Sequence, residues 1–393
     1  MKLDILIIGA GMYVCGKGTD GFGTVLPAIF QWNKETNNLG NLYCASTTTD
    51  SAKNFSKKCL ELSQVFETNL APHCFPENDD QKSKSYKDAI SHMKNPSCVI
   101  IAVPDHLHYE IAKECIKADL HLMVVKPLTP TYAEGEELSN AVNKANLHGV
   151  VEFHKRWDRS NLILKEKYAS GQLGDLLYSL VEYSQRKSVP QKHFKSWADE
   201  TSILQYLGVH YVDMMRFITE AYPQRVSATG QKNYLLKNGI DTYDSIQCHV
   251  EWKTADGNTF IQTLLTNWID PEGTSAVSDQ KIKIVGTKGR VEADQKDRGL
   301  MMVSDESTTE HINPYFSMSY SAQDSSREWF GYGIDSVTTF LRDVSAITKK
   351  EITLQRLKKI RPSFEEALIS TAVIEAAHSS LKNNSKWVNV QNS

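Results

Sequence analysis

The sequence lacks paired cysteines, long apolar runs and an excess of charge of either sign. Its seven cysteines are scattered over 393 residues without a C-x-x-C spacing, so we expect neither a disulfide framework nor a cysteine zinc site. The early apolar run Ile5–Ile8 is far shorter than the roughly 20 residues that span a membrane. It also lacks the basic start and cleavage site of a secretory signal. We therefore expect a cytoplasmic protein with reduced thiols.

The net charge and the length of the chain further limit which kinds of protein the sequence fits. Lys and Arg total 44 and Asp and Glu total 47, which gives a net charge of −3. Because this balance provides no bulk attraction to polyanions, we expect no nucleic-acid or membrane partner. At roughly 150 residues per domain, the chain is long enough for two or three domains. The hydrophobic fraction of 40% is ordinary for a globular protein.

The chain begins with a strand, a glycine turn and a helix. Leu3–Ile8 is apolar throughout except for one acid, which predicts a strand buried on both faces in a parallel sheet. Gly9 and Gly11 follow, but Gly16 falls outside the usual spacing, so the loop is enlarged. The helical pattern resumes at Thr24, a plausible N-cap. This arrangement is typical of a dinucleotide-binding unit, and an ordinary glycine-rich loop is the alternative.

The second predicted strand, residues 41–46, bears on the choice of cofactor. An acid at this strand end often binds the ribose 2′-hydroxyl of NAD. Here the hydroxyl residues Ser46, Thr47 and Thr48 come first, and this favours NADP, whose 2′-phosphate they would accept. Asp50 could still turn inward, and Lys53 and Lys57 are the nearby candidates for a phosphate. The sequence therefore leaves NAD and NADP open, with a lean to NADP.

Strands and helices continue to alternate up to residue 153. Strands are predicted at Cys98–Val103, His121–Val125 and Gly149–Phe153, with helices between them, so we expect a doubly wound parallel sheet. Residues 67–95 are polar and are interpreted as a surface excursion with a short helix near 84–93.

Two histidines follow the strand that ends at Val103. His106 and His108 are two residues apart, but no acid or cysteine cluster completes a metal site, so we expect no metal. His108 is interpreted as a residue at a helix start, packed near the cofactor. Strand ends of this kind face the ligand crevice of open parallel sheets.

The second half is rich in strands. Strand-like stretches lie at 176–184, 225–233, 244–254 and 258–268, and their succession predicts an antiparallel sheet. Asp256-Gly257-Asn258 predicts a hairpin turn. Residues 294–330 are polar with interspersed aromatics, and are interpreted as an insertion that covers the site, forms an oligomer contact or packs locally. Helices are expected near 332–347 and 363–382, with a final strand at 386–390.

Together these segments resemble the glucose–fructose oxidoreductase/inositol dehydrogenase (Gfo/Idh/MocA) family over nearly the whole chain. The segments that carry the resemblance are the strand with its Gly9-Ala10-Gly11 turn, Ala102–His108, Lys126–Leu128, His154–Asp158, Ser170–Gly174, Leu207–Asp213 and Ile284–Gly289. The resemblance implies an α/β chain with an N-terminal Rossmann domain (1–153) and a C-terminal α+β domain (154–393) with a large open, mainly antiparallel sheet. It also implies NAD(P)-dependent oxidation or reduction of a sugar, cyclitol or nucleotide-sugar, by a homo-oligomer that is a dimer or tetramer.

The resemblance also implies roles for individual residues. Lys126 matches the family's catalytic lysine and His210 its catalytic histidine, while Tyr206 either bonds the substrate or His210 or simply packs. The expected cofactor-binding residues are Gly9, Gly11, Met12, Gly16, Ser46, Thr47, Thr48, Val103, Pro104, His106, His108, Lys126 and Pro127. The expected substrate-binding residues are Lys126, His154, Arg156, Tyr183, Lys192 and Asp213, the last of which is alternatively an ion-pair partner of Arg216.

The chemistry of alcohol oxidation suits these residue types. A hydride leaves the carbon, and the hydroxyl proton must reach a base within hydrogen-bond distance. A neutral histidine suits that task, and a lysine ammonium can stabilise the developing alkoxide. The sequence departs from the family pattern at Val125, where a glutamate is usual, at Tyr206, where an aspartate is frequent, and in its longer glycine loop. A glycosidase or epimerase-like enzyme that oxidises only transiently, and a non-catalytic cofactor sensor, are the alternatives.

Overall fold

The chain folds as two units, and the computed structural model describes residues 2–78, 85–305 and 308–391. The first unit runs to Leu128 and then takes in Ala133–Trp157 and Tyr315–Glu366. The second comprises Thr129–Tyr132, Asp158–Pro314 and the residues from Ala367 onward. The assignment of residues 1–153 to the cofactor and 154–393 to the substrate stays a prediction.

A six-stranded parallel sheet forms the centre of the first unit. The elements of the N-terminal half are β1 Leu3–Ile8, α1 Met12–Cys15, α2 Val25–Thr36, β2 Leu39–Ala45, α3 Thr49–Val65, β3 His73–Phe75, α4 Ser85–Ser91, β4 Ser97–Ile101, α5 His108–Lys117, β5 His121–Val125, α6 Tyr132–Lys144 and β6 Gly149–Glu152. The strand order is β3-β2-β1-β4-β5-β6, and every pair is parallel. The order reverses at β1, which is where ligands bind in open sheets of this kind.

The core of this unit explains why these segments became strands. All six residues of β1 are buried, which confirms the predicted strand covered on both faces. Trp32 of α2 is fully buried in the same core as Phe340, and both pack on one face of the sheet. Full burial of such a side chain stabilises the fold by roughly 2–3 kcal/mol.

The interpretation of residues 67–95 as a surface excursion was incomplete. His73–Phe75 forms the edge strand β3, paired with β2, and the short helix expected near 84–93 is present as α4. Three residues are too few to show an alternating pattern, so only the pairing with β2 reveals this strand. Residues 79–84 lie outside the described part of the chain.

A seven-stranded sheet forms the centre of the second unit. The elements of the C-terminal half are α7 Arg159–Ala169, β7 Leu176–Arg186, α8 Val209–Thr219, β8 Tyr222–Gln231, α9 Tyr234–Lys237, β9 Ser245–Lys253, β10 Thr259–Asp270, β11 Ser278–Gly286, β12 Arg290–Asp294, β13 Met301–Ser304, β14 Thr308–His311, β15 Met318–Ser321, β16 Arg327–Phe330, α10 Tyr332–Thr348, α11 Leu354–Ile360, α12 Phe364–Lys382 and β17 Val388–Asn389. The strand order is β12-β11-β7-β10-β9-β8-β17. Only β7 and β10 pair in parallel, so the predicted mainly antiparallel sheet is confirmed.

One face of this sheet is covered and the other is not. Along β10 the buried residues alternate with half-buried ones, as expected for a sheet that packs on one side. The hairpin turn predicted at Asp256–Asn258 joins β9 to β10, with Gly257 at a positive φ of 91°. Glycine adopts this backbone conformation without the steric cost that a side chain would add.

Residues 294–330, interpreted as an insertion or as locally packed, are divided between the two units. The hairpin β13–β14 belongs to the second unit, whereas β15–β16 belongs to the first. Trp329 on β16 is buried in the first unit's core, in contact with the ring of Phe66. The sequence did not predict that β15–β16 belongs to the first unit, because most side chains of this segment are polar and only a few are buried. Within the described residues, no helix is both long and apolar enough to cross a bilayer.

Candidate functional site

The turn after β1 brings the backbone to the carboxyl end of the parallel sheet. Gly9 has a φ of 111°, and a Cβ there would clash with the carbonyl of Ala102 at the end of β4. Gly11 is the N-cap of α1 and has open space around its Cα. Met12 begins α1 and is exposed. The turn thus has the close packing and open approach that a pyrophosphate needs.

The enlarged glycine loop is an excursion within the first helical segment. The one-turn helix α1, which the sequence pattern did not predict, ends at Gly16 in the left-handed conformation, with a φ of 69°. The chain returns at Thr24, whose N–H donates to the carbonyl of Tyr13 (2.7 Å). Thr24 is the N-cap of α2, as predicted, but its side chain makes no capping hydrogen bond.

A lysine of α3 holds this loop. The Lys58 Nζ donates to three loop carbonyls, those of Thr19 (3.3 Å), Asp20 (3.3 Å) and Gly21 (2.9 Å). The same ammonium lies 5.1 Å from the centre of the Phe22 ring. One side chain therefore satisfies three carbonyls that the irregular backbone leaves without helix or sheet partners.

At the end of β2 the hydroxyl side chains take different roles. Ser46 is buried and donates to the backbone carbonyls of Thr48 (3.0 Å) and Phe75 (3.2 Å). Thr47 and Thr48 are exposed, and Thr48 caps α3 by accepting from the Ser51 N–H. Lys17 reaches this corner from the glycine loop and donates to Ser51 Oγ (2.7 Å).

The basic residues near this corner include Lys17 besides the two that the sequence suggested. Lys53 is exposed, and Lys57 lies 3.9 Å from Glu61 in an exposed ion pair. Lys17 has no sequence signal, because it is 34 residues from Ser51 and sits among glycines. Asp50 lies in the first turn of α3 and is exposed.

His108 joins the ends of β4 and β5. Its Nδ1 lies 2.8 Å from the Pro127 carbonyl oxygen and its Nε2 lies 3.0 Å from that of Val103. The ring is fully buried. Burial lowers the pKa of His108, and the charge of Asp105 acts in the opposite direction. His106 is exposed, so of the two histidines only His108 fixes the loops that follow these strands.

Lys126 follows β5 directly and is partly buried. Desolvation lowers its pKa to about 8, while the carboxylates of Asp105 and Glu152 act in the opposite direction. A lysine with this pKa exists in both protonation states near neutral to mildly alkaline pH, which is useful in acid–base chemistry. Neither carboxylate was singled out from the sequence.

Glu152 lies at the end of β6 with its carboxylate buried. It accepts a hydrogen bond from Ser336 Oγ (2.7 Å), and His154 Nδ1 lies 3.0 Å from its Oε2. The His154 ring packs against Phe316 and Tyr332, with ring centres 5.2 and 5.6 Å away. These contacts fix the orientation of a predicted substrate-binding residue.

In the second unit, His210 lies at the start of α8 and is buried. The helical segment that carries Tyr206 and His210 is not uniform, because Leu204–Gly208 forms a wider π-type turn before α8. The simple rule that residues four apart share a helix face therefore does not apply to Tyr206 and His210. Asp213 is also buried, one turn after His210.

Tyr206 belongs to an aromatic cluster that we define as Phe194, Trp197, Tyr206 and Trp268. Its ring centre lies 4.8 Å from that of Phe194 and 5.9 Å from those of Trp197 and Trp268. Trp197 packs within this cluster, against Phe194 and Tyr206. Arg216 donates to the carbonyls of Glu220 and Ala221 at the end of α8.

The remaining predicted substrate residues are spread over both units. Arg156 is buried in the first unit, 3.8 Å from Glu366. Tyr183 is buried edge-on to Tyr211 in the second unit, and burial raises its pKa well above the usual range. Lys192 is exposed in a turn after β7.

The first unit therefore has the features of a dinucleotide site. The carboxyl ends of β1, β2, β4 and β5 bring together Gly9, Val103, His108 and Pro127 through the contacts described above. The open space at Gly11 and the exposed hydroxyls after β2 suit a pyrophosphate and a ribose. In the part of the chain that the structure describes, no group of three or more potential metal ligands is found.

Family models match both halves of the chain. Residues 40–153 match the NAD-binding Rossmann fold of an oxidoreductase family, and residues 162–292 match the GFO/IDH/MocA C-terminal domain. Together these matches cover more than half of the chain. The chain belongs to the Gfo/Idh/MocA family. Membership confirms the resemblance and the NAD-binding Rossmann fold, and the enlarged glycine loop of this family member precedes the matched residues.

Similar proteins include two inositol dehydrogenases. The scyllo-inositol 2-dehydrogenase (NADP(+)) of Bacillus subtilis is 34% identical over 116 residues, which are 29% of this chain and 32% of the relative. The myo-inositol 2-dehydrogenase of Thermotoga maritima is 24% identical over 231 residues, 57% of this chain and 64% of the relative. The matches thus span about a third of the length of the first curated relatives.

Solved structures share the fold across the full length. The scyllo-inositol dehydrogenase of Lactobacillus casei, determined with bound NAD(H) and scyllo-inositol, superposes with a TM-score of 0.69. It is 16% identical, and the superposition covers 99% of each chain. At this identity the similarity shows the fold alone.

Proposed function

We propose that the protein is an NAD(P)-dependent dehydrogenase that transfers hydride between nicotinamide and a hydroxyl-bearing carbon of a sugar, cyclitol or nucleotide-sugar. The observation that carries the proposal is Lys126, a partly buried lysine with a pKa of about 8 at a strand end of an NAD-binding Rossmann sheet. When bound, the cofactor takes or gives the hydride. The similarity to inositol dehydrogenases supports a polyhydroxylated substrate.

We assign the acid–base chemistry to two side chains. The hydroxyl proton of the substrate passes to His210, and the ammonium of Lys126 stabilises the oxygen as negative charge develops on it. The hydride that leaves the carbon carries both electrons of the oxidation and would be taken up by the bound nicotinamide, so that the hydroxyl becomes a carbonyl. Oxidation thus releases one proton for each reduced cofactor, and reduction reverses both transfers.

The first test is a spectrophotometric assay. The purified protein is mixed with NAD or NADP and a panel of cyclitols, sugars and nucleotide-sugars, and formation of the reduced cofactor is followed by absorbance. We expect net reduction with at least one cyclitol or sugar. Conversion of a substrate without net cofactor reduction would instead support transient oxidation by a retained cofactor. Tight cofactor binding with no conversion of any substrate would support a sensor.

For the cofactor, we propose NADP, bound with its 2′-phosphate against Thr48 and Lys17. Support comes from the exposed hydroxyls after β2 and from the Lys17 ammonium at the same corner. An ammonium and a hydroxyl are favourable partners for a phosphate dianion, whereas NAD presents only an uncharged ribose 2′-hydroxyl at the same place.

Measured dissociation constants test this choice. Wild type should bind NADPH more tightly than NADH. Lys17→Ala should weaken NADPH binding by about tenfold and leave NADH binding unchanged, because one charge-assisted hydrogen bond is removed. Lys144→Ala, at an exposed position on α6, is the matched control and should have little effect. Equal affinity of the wild type for the two cofactors would overturn the NADP assignment.

A further inference from the structure

The strand next to Lys126 carries a buried carboxylate. In the parallel pairing of β5 with β6, Val125 lies opposite Glu152, and Lys126 is the residue after Val125. Glu152 is 2% exposed, so its charge is almost fully removed from water. A buried carboxylate is costly to fold unless polar or charged groups surround it, which indicates a role for the charge at this position.

The surroundings of Glu152 hold it toward the carboxyl end of the sheet. Ser336 on α10 donates to Oε1 (2.7 Å), and His154 Nδ1 lies 3.0 Å from Oε2. Ser336 itself is fully buried, and the His154 ring is fixed by its aromatic neighbours. The carboxylate is therefore held in one orientation by groups on two other segments of the same unit.

We propose that Glu152 is a positioning residue that keeps Lys126 in its ammonium form and in place for the reaction. Val125, which precedes the lysine, has no charge, so the carboxylate comes from the facing position on β6 instead. The role of this ammonium in turnover rests on the proposed dehydrogenase function. The effect of Glu152 on the ionisation of Lys126 does not depend on that function.

The charges around Lys126 give the sign of the effect. Desolvation lowers the pKa of Lys126 to about 8, and Asp105 and Glu152 both oppose it. Other titratable groups on the neighbouring elements include His108, hydrogen-bonded to the Pro127 carbonyl, His154, hydrogen-bonded to Glu152, and the buried side chains of Lys155 and Arg156. Loss of the Glu152 charge therefore leaves Asp105 as the remaining carboxylate that favours the ammonium.

Chemical labelling of Lys126 tests the proposal without any assay of turnover. Only the neutral amine reacts with an acylating reagent, so the pH dependence of labelling at the Lys126 peptide, read by mass spectrometry, reports its pKa. Glu152→Gln keeps the shape of the side chain and removes its charge. We expect it to lower the pKa of Lys126 by about one pH unit, the effect of removing one nearby opposite charge.

A carboxylate exchange separates this role from simple structural support. In the double variant Val125→Glu/Glu152→Gln the charge moves to the facing position, and we expect the labelling curve to return toward that of the wild type. Asp343→Asn removes another buried carboxylate of the same unit, one that pairs with Arg361, and should leave the labelling curve unchanged. An equal effect of Asp343→Asn would indicate general loosening and overturn the proposal.

The pH profile of turnover supplies the second readout. In Glu152→Gln the alkaline limb of kcat/KM should move to lower pH by the same amount as the labelling curve, and the exchange variant should restore it.

An unchanged labelling curve in folded Glu152→Gln overturns the proposal. If Glu152→Gln does not fold, Val125→Glu alone should raise the pKa of Lys126. An unchanged pKa of Lys126 in Val125→Glu would likewise overturn the proposal. A shifted labelling curve in a protein without dehydrogenase activity would refute the proposed function alone.

Discussion

At the scale of single residues, burial and neighbouring charge decide which side chains can take part in chemistry. Lys126 and His106 both follow strands of the parallel sheet, yet His106 is exposed and Lys126 lies beside two carboxylates. The sequence motif identified Lys126, but not Asp105 or Glu152. Their contribution depends on β4, β5 and β6 lying side by side, which only the folded sheet brings about.

Loss of either proposed acid–base residue should abolish most of the activity. Lys126→Ala and His210→Ala are each expected to lower turnover by about 10²-fold or more, since each removes a group that stabilises or accepts charge in the transition state. Steady-state kinetics on the substrate found in the panel provide the measurement. Lys144→Ala and His249→Ala, both at exposed positions, are the matched controls. Wild-type rates in both active-site variants would refute the assignment.

At the scale of elements, the regular segments were predictable and the irregular ones were not. The apolar run of β1 and the alternation in β9 and β10 follow directly from which faces are buried. The helix α1, the edge strand β3 and the π-type turn before α8 are too short for such a pattern. Their backbone is stabilised by partners that are distant in the sequence, such as β2 for β3.

The glycine loop offers a matched test of backbone constraint. Gly16 and Gly18 both have positive φ, 69° and 81°, but a Cβ at Gly16 would clash with the Gly21 carbonyl while Gly18 has open space. Gly18→Ala should therefore lower the free energy of unfolding by about 1 kcal/mol, the cost of a left-handed alanine. Gly16→Ala should cost about 2 kcal/mol more because the loop must also shift.

Urea unfolding followed by circular dichroism distinguishes these two variants. Equal destabilisation by the two substitutions would mean that the Gly16 contact with Gly21 is not a constraint. Contact of Gly16 with the cofactor stays a prediction, and a change in cofactor affinity in the Gly16 variant would bear on it.

At the scale of the whole molecule, two partly buried histidines make stability depend on pH. Burial lowers the pKa of His121 to about 4, with a smaller contribution from His148, and burial lowers that of His378 to about 4, with a smaller contribution from Lys382. The unfolded chain therefore takes up protons below about pH 6.5 that the folded chain excludes. Stability is fully present above that pH and is lost as the pH falls toward 4.

The free energy of unfolding is expected to fall by about 2 kcal/mol for each of these histidines between pH 7.5 and pH 5. Urea midpoints measured across this range give the slope. His378→Gln can keep a hydrogen bond to Ser202, which His378 contacts at 2.8 Å, and should make the slope shallower. His249→Gln, at an exposed position, should leave the slope unchanged. If His378→Gln has the same slope as the wild type, His378 does not contribute to the pH dependence of stability.

Assembly also belongs to this scale. The dimer or tetramer expected from the family resemblance stays a prediction, as does the cytoplasmic location. Light scattering of the purified chain measures the mass directly, and a monomer of 44.3 kDa at all concentrations would contradict the expected oligomer.

The sequence by itself determined the parallel sheet, the glycine turn and the family, and through the family the choice of Lys126 and His210. These features are encoded locally, because burial on both faces, tight turns and short motifs each leave a pattern within a few residues. Only the tertiary structure decided that Tyr315–Glu366 returns to the first unit, that Lys17 meets Ser51, and that Glu152 faces Val125. Such contacts join residues that are 27 or more positions apart, and no local pattern specifies them.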